Sequence, residues 1–260
     1  MKRVEDLGWG GAMVWGMNHP PGSNGFFLPG EFEGPAGIAS NGWHERLVRH
    51  FLDHMPVGEQ AIFQDENNAG AHRYACHAVN KFSMRRDFFG RFRAGADECI
   101  REHEVPLYFC MSPRGSFRKL ASLAMFSGPV LTVDESLRSF IEWLEPNVHT
   151  FVPMEIRRSR ESAPIGVRYI LVVERRIDSF SEVQSRPDSF SITSDRRSVS
   201  HETKASSMRG LAFRREMIGD AHLWIEPRFC SYLLCMSDRL QAEISDAGLR
   251  IPRHWPMKEV

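Results

Sequence analysis

Three histidines, His44, His50 and His54, lie close together in the first quarter of the chain. His50 and His54 are four residues apart, so on a helix they would share a face and could grip one metal ion. With an unidentified carboxylate they would suit a metal-assisted hydrolase. The plainer reading is a set of surface and half-buried histidines on an Arg-rich helix. HExxH is absent, because His44-Glu45 continues into Arg, Leu and Val. The H-x-E and PCxxC pair of zinc deaminases does not occur, nor do GxSxG, GxxxxGK(S/T) or GxGxxG. No cofactor is therefore expected and no catalytic residue is assigned. Of the five cysteines, Cys110 and Cys230 lie in apolar, strand-like runs that suit inert core thiols.

Basic residues form the other chemically pointed set. In KFSMRRDFFGRFR, residues 81–93, Arg85, Arg86, Arg91 and Arg93 interleave with Phe88 and Phe89. Such a stretch could contact an acidic partner or nucleic acid, or pair with the chain's own carboxylates. Lys plus Arg is 33 and Asp plus Glu is 33, so the formal net charge is zero. A phosphate-tracking protein carries a basic excess, so a nucleic-acid partner is disfavoured. The odd cysteine count without CxxC argues for reduced thiols. MKRVEDLGWGG lacks the apolar core of a signal peptide, and the apolar run at 169–173 is far too short to span a bilayer. A cytoplasmic protein without a membrane segment is expected.

These residues need elements to position them. Residues 1–42 are rich in Gly, Pro and Asn, yet hold Trp9, Trp15, Phe26, Phe27 and Phe32. They are expected to pack as irregular coil with short strands. Trp43, Leu47, Val48, Phe51 and Leu52 share a face of a helix over 43–55, ended by Pro56. LYFCM at 107–111 reads as a strand before the turn SPRG, and 128–133 as another. Thr132 and Glu135 are spaced as a capping box for a helix over 134–145. Residues 149–158 and 167–176 read as a β-hairpin. Residues 178–208 carry DSFS twice and many serines, which reads as a low-complexity loop. Strands are expected at 211–218, in GDAHLWIEP and at 228–236. Ser237 then caps a helix with Leu240, Ile244 and Ala247 inward and Gly248 as its stop. The expectation is an α+β fold with a mixed, mostly antiparallel sheet and a few amphipathic helices packed on it. Residues 1–116 are taken as an N-terminal region packed on the body, and 117–260 as an α+β domain.

The second half resembles the immunity proteins of bacterial polymorphic-toxin loci, a family first catalogued as a domain of unknown function. The stretches that carry this are FSGPVLTVDESLRSFIEWLEPNVHTFVPMEI, RYILVVERRIDSFSEVQS and MIGDAHLWIEPRFCSYLLCMSDRLQAEISDAGLRIP. Within them lie a helix ending in an acidic residue beside Pro146, the run from His149 to Pro153, and the Ile177-Asp178 step before a Ser-containing loop. His222-Leu223-Trp224 and the Ser-Asp-x-Leu helix start complete the pattern, over about residues 117–256. The resemblance implies a non-enzymatic protein that binds and neutralises a cognate toxin, with His222-Leu223-Trp224 as a fold-stabilising step. Candidate contacts are Arg85, Arg86, Phe88, Phe89, Arg91 and Arg93, or the Ser-rich 178–208 segment ordering on binding. A homo-oligomer is compatible with the sequence. The rivals are a metal-dependent hydrolase, an enzyme that reverses a toxin's modification, and a nucleic-acid-binding accessory protein.

Overall fold

The computed structural model describes residues 13–17, 25–34, 42–64, 69–83, 99–127, 130–193, 199–202, 204–230 and 233–260. In chain order its strands are β1 (Met13–Met17), β2 (Gly30–Phe32), β3 (Tyr108–Met111), β4 (Leu123–Phe126), β5 (Val130–Val133), β6 (Thr150–Arg157), β7 (Gly166–Val172), β8 (Ser191–Ile192), β9 (Val199–Ser200), β10 (Ala212–Phe213), β11 (Leu223–Glu226), β12 (Leu233–Ser237) and β13 (His254–Glu259). The helices are α1 (Gly42–Asp53), α2 (Val57–Phe63), α3 (Gly70–Lys81), α4 (Glu135–Leu144), α5 (Ala205–Met208), α6 (Arg215–Ile218) and α7 (Asp238–Asp246). This is an α+β fold with mixed, mostly antiparallel sheets. The described residues divide into two compact units, one within 1–20, 139–149 and 173–260, the other within 21–138 and 150–172. Strands from before and after residue 117 share each large sheet.

The second unit is built on a six-stranded sheet, β2-β3-β6-β7-β5-β4. Its two ends are joined by one short stretch of chain. Leu28 N donates to Met125 O at 2.9 Å and Met125 N to Phe26 O at 2.8 Å, while β2, just beyond, pairs with β3. The sheet therefore curls closed and both of its edges are paired. Gly30 permits this, because a Cβ there would run into the Cys110 carbonyl and the Phe109 ring. The helix expected over 43–55 is α1, and it buries Trp43, Leu47 and Phe51. Those side chains meet Tyr74 and Ala78 of α3 and Phe109, Phe126, Met154 and Ile170 of the sheet in one core. Each large side chain so buried contributes about 1.5–3 kcal/mol of apolar transfer. The expected hairpin is β6–β7, paired antiparallel from Thr150↔Val172 to Ile156↔Gly166.

The first unit is built on a five-stranded sheet, β10-β13-β1-β12-β11, with β1 antiparallel to both its neighbours. α7 follows the sequence closely. Ser237 Oγ accepts from Leu240 N, and Gly248 adopts φ 63° past the last turn. Leu249 N then reaches Ile244 O and Gly248 N reaches Ser245 O, satisfying the final carbonyls.

Four expectations are corrected. Thr132 does not cap α4. It sits inside β5 and donates to the Ala124 carbonyl, while Asp134 Oδ1 accepts from Leu137 N at 2.9 Å. The strand over 211–218 is two residues long, and Arg215–Ile218 coils into α6. Three consecutive charged residues offer a strand no apolar face, whereas one helical turn returns Ile218 to the core beside Leu211 and Phe213. Ala247 is exposed, and Gln241 is the third buried side chain of α7. The described part of 178–208 is ordered structure rather than a loop. Phe180, Val199 and Met208 enter the core and Phe190 packs against it. Serines satisfy the backbone from inside, as Ser185 Oγ donates to Ser181 O and accepts from Ala212 N.

Candidate functional site

A buried polar constellation of the first unit surrounds Glu145, whose side chain is 1% exposed. α4 ends just before Glu145, and Pro146 prevents its continuation. The carboxylate then faces four donors. His149 Nε2 lies 2.9 Å from Oε2, and Arg175 Nε 3.0 Å from Oε1. His222 N and Leu223 N reach the two oxygens at 3.0 and 2.9 Å. His149 Nδ1 accepts from Glu174 N, so its Nε2 carries the proton given to Glu145. Burial alone would raise the Glu145 carboxyl. The hydrogen bonds from His149 and the His222 amide, with the charge of Arg175, outweigh burial and hold it below its ordinary value. His222 Nδ1 lies 2.7 Å from Ser237 Oγ, the hydroxyl that caps α7. Glu145, His149 and Trp224 are buried, so the His222-Leu223-Trp224 step acts as a clasp between β11 and the end of α4.

A second buried carboxylate, Glu226 on β11, holds the start of the Ser-rich segment. Its Oε2 accepts from Ser179 N at 2.8 Å, Ser179 Oγ at 3.0 Å and Phe180 N at 2.9 Å, and its Oε1 from Arg228 N at 3.2 Å. Burial pushes this carboxyl up to about 7 against those hydrogen bonds.

In the second unit the corresponding hub is Glu104, a fully buried carboxylate. Lys81 Nζ contacts both its oxygens at 2.8 and 2.9 Å and donates to Cys99 O. Arg101 N and Tyr74 OH also donate to Glu104. Tyr74 OH lies 2.5 Å from His103 Nε2, and burial raises that phenol. His103 stacks face to face on His50, with ring centroids 3.7 Å apart, and burial lowers both imidazoles.

The sequence-selected histidines therefore separate. His50 and His54 are neighbours at 5.5 Å, whereas His44 stacks on His72 and lies 3.8 Å from Cys76 Sγ. Face-to-face imidazoles cannot aim two nitrogen lone pairs at one ion. Among the described residues no group of three or more His, Cys, Asp or Glu could hold a metal. Arg85, Arg86, Phe88, Phe89, Arg91 and Arg93 lie outside the described residues. The roles of Glu104, Lys81 and Arg175 left no sequence signal, because long-range pairing has no spacing. The acidic residue beside Pro146 and the His-Leu-Trp step were signals for the Glu145 clasp.

On the surface, guanidinium–aromatic pairs recur. Arg157 covers Tyr108 at 5.0 Å, Arg138 covers Tyr169 at 4.5 Å, and Arg239 covers Trp143 at 5.0 Å. No described helix is long and apolar enough to cross a membrane.

No curated protein matches the chain. A family model described as an immunity protein family (Imm11) matches residues 53–259. The match extends the resemblance seen in the second half back through α2, α3 and the Glu104 hub. It covers well over half of the 260 residues, and the chain belongs to the Imm11 immunity protein family.

Proposed function

We propose that this protein neutralises a cognate bacterial toxin by direct, stoichiometric binding in the cytoplasm, as a guard in competition between bacteria. The family match over residues 53–259 carries this reading. The internal chemistry supports a binding role over a catalytic one. Glu145, Glu226 and Glu104, three buried carboxylates among the described residues, are each committed to backbone amides or cations of the chain itself. That is how a scaffold holds loops in place, with recognition left to the surface. Inhibition would then come from covering the toxin's active site or its substrate path. The Arg- and Phe-rich 81–93 stretch is one candidate contact under this reading.

Co-expression tests it. The toxin domain encoded by the neighbouring gene is produced with and without this chain. Survival together with a recoverable 1:1 complex is expected. Continued killing with no complex overturns the reading. Survival with a covalently altered toxin and no complex would instead identify an enzymatic immunity protein.

A further inference from the structure

One stripe of α1 in the second unit meets the turn at residues 102–105. Trp43, Arg46 and His50 are spaced i, i+3 and i+7, so they share a face of the helix. Trp43 Nε1 donates to Glu104 O at 2.8 Å. Arg46 Nη1 donates to His103 O at 2.5 Å and its Nη2 to Val105 O at 2.7 Å. An indole and a guanidinium keep their protons wherever the fold survives, so these contacts do not titrate. The last contact of the stripe does. His50 lies flat on His103, with ring centroids 3.7 Å apart and the planes 15° from parallel.

The two rings have different surroundings. Beside His103, Tyr74 OH lies 2.5 Å from Nε2 and 3.3 Å from Glu104 Oε1. An imidazolium at His103 can donate from Nε2 to the phenol oxygen while the hydroxyl turns to Glu104. The proton is then linked through Tyr74 to a buried carboxylate, whose charge favours it against burial and the charges of Arg101, Lys81 and Arg46. Each of those cations already faces a carboxylate. Lys81 is paired with Glu104, Arg46 with Glu33 at 2.8 Å, and Arg101 with Glu59 of α2 at 2.6 Å.

His50 has no such outlet. The charged groups that act on it are His103, His54, Arg46 and Arg101, every one a cation or able to become one. With His103 already charged, a second proton would set two positive rings face to face at 3.7 Å. The pair therefore titrates as a unit, taking its first proton at His103 and its second only at lower pH.

We infer that the His50–His103 stack is a pH-sensitive latch between the end of α1 and the 102–104 turn. It stays shut with one proton, held at His103, and opens when both rings are charged. Opening frees the last turn of α1, while Trp43 and Arg46 keep the earlier turns docked. Burial lowers both imidazoles from their ordinary 6.5. The stack's contribution to stability is therefore whole above 6.5 and is lost as pH falls through the lowered folded values. The latch stands independently of the toxin-binding reading above.

The test is amide hydrogen exchange on the full chain, read as protection factors at pH 7.5 and 5.0. In wild type, protection of the amides from His50 to His54 is expected to fall at least tenfold. The Trp43 indole N–H, bonded to Glu104 O, keeps its protection as the internal reference. His50→Phe preserves a ring in the stack and removes its titration, and His103→Gln keeps an acceptor for Tyr74. In each variant the acid response shrinks to within twofold. His44→Gln, which alters the other histidine pair of α1, retains the wild-type response. Nitrogen-15 spectra of wild-type imidazoles are expected to show His103 titrating before His50, in two separated steps. Unchanged protection in wild-type acid, an acid response that survives in both stack variants, or two imidazoles that titrate independently would overturn the latch. Parallel loss of protection at Trp43 would mark global unfolding and overturn it as well.

Discussion

Glu145→Gln tests whether the Glu145 clasp holds the fold together. The substitution keeps the shape and removes the charge. The wild-type carboxylate presents two oxygens to four donors, at 2.9–3.0 Å from His149, Arg175, His222 and Leu223. A glutamine has one oxygen, and its amide nitrogen must face donors on the other side. Whichever way the amide turns, two donors lose their acceptor, one of them on a side chain that gains from the negative charge. Each lost hydrogen bond to a charged group costs about 1.5–3 kcal/mol, which for two gives about 3–6 kcal/mol for the site. Breaking a buried pair by removing one partner gives a similar figure of about 3–5 kcal/mol. Set against a total stability of about 5–15 kcal/mol, this is a large loss. For a chain of this size it lowers Tm by about 10 °C. The assay is a thermal and urea melt of wild type and variant, with amide hydrogen exchange at His222 and Leu223. Those two amides should lose protection before the rest of β11. The pH dependence has a definite sign, because the Glu145 carboxyl is held below 4.5 in the folded chain. Its contribution is present above that value and lost as pH falls through the folded value, so wild type and variant converge in acid. A variant within about 0.5 kcal/mol of wild type, with both amides still protected, would refute the clasp.

Two further outcomes follow from the other buried carboxylates. Glu226 is pushed up to about 7 from an ordinary 4.5, so the folded chain holds a proton that the unfolded chain releases. That contribution is complete below about pH 4.5 and is lost as pH rises through 7. Relative to Glu226→Gln, wild type should lose about 3 kcal/mol between pH 4.5 and 8 in paired urea melts, and parallel curves would contradict it. Lys81→Met leaves the Glu104 carboxylate buried without its cation and should destabilise by about 3–5 kcal/mol. Adding Glu104→Gln should cost less than the sum of the two single changes, and strict additivity in denaturant melts would show that the pair does not interact.

Much of the fold was legible because some signals are local. The spacing of Trp43, Leu47 and Phe51 gave α1, and Ser237 and Gly248 bounded α7 through hydroxyl capping and a positive φ. The β6–β7 hairpin followed from alternation. The failures are equally physical. Thr132 and Asp134 both offer an oxygen near the start of α4, and only strand pairing decides that Thr132 belongs to β5. Serine-rich composition suggested a loop at 178–208, yet small hydroxyls can satisfy a buried backbone while Phe180 anchors the core. The closure of the barrel by residues 26–28 along β4 and 30–32 along β3 is a long-range pairing that no window of sequence displays. The same holds for the hubs. The acidic residue beside Pro146 and the His222-Leu223-Trp224 step were visible, but nothing local joined Glu145 to Arg175 or Lys81 to Glu104. The histidines chosen for metal chemistry were adjacent in sequence, and the packing of α1 against α3 sends His44 to His72 while His50 meets His103.

The most direct test of the central claim is the mass of the purified complex between the full chain and the toxin domain encoded by its neighbouring gene, read by native mass spectrometry alongside the toxin's activity. The account predicts a 1:1 complex, loss of toxin activity that titrates to completion at one equivalent, and an unmodified toxin on release. Protection by a substoichiometric amount of this chain, with no complex or with a chemically altered toxin, would contradict it.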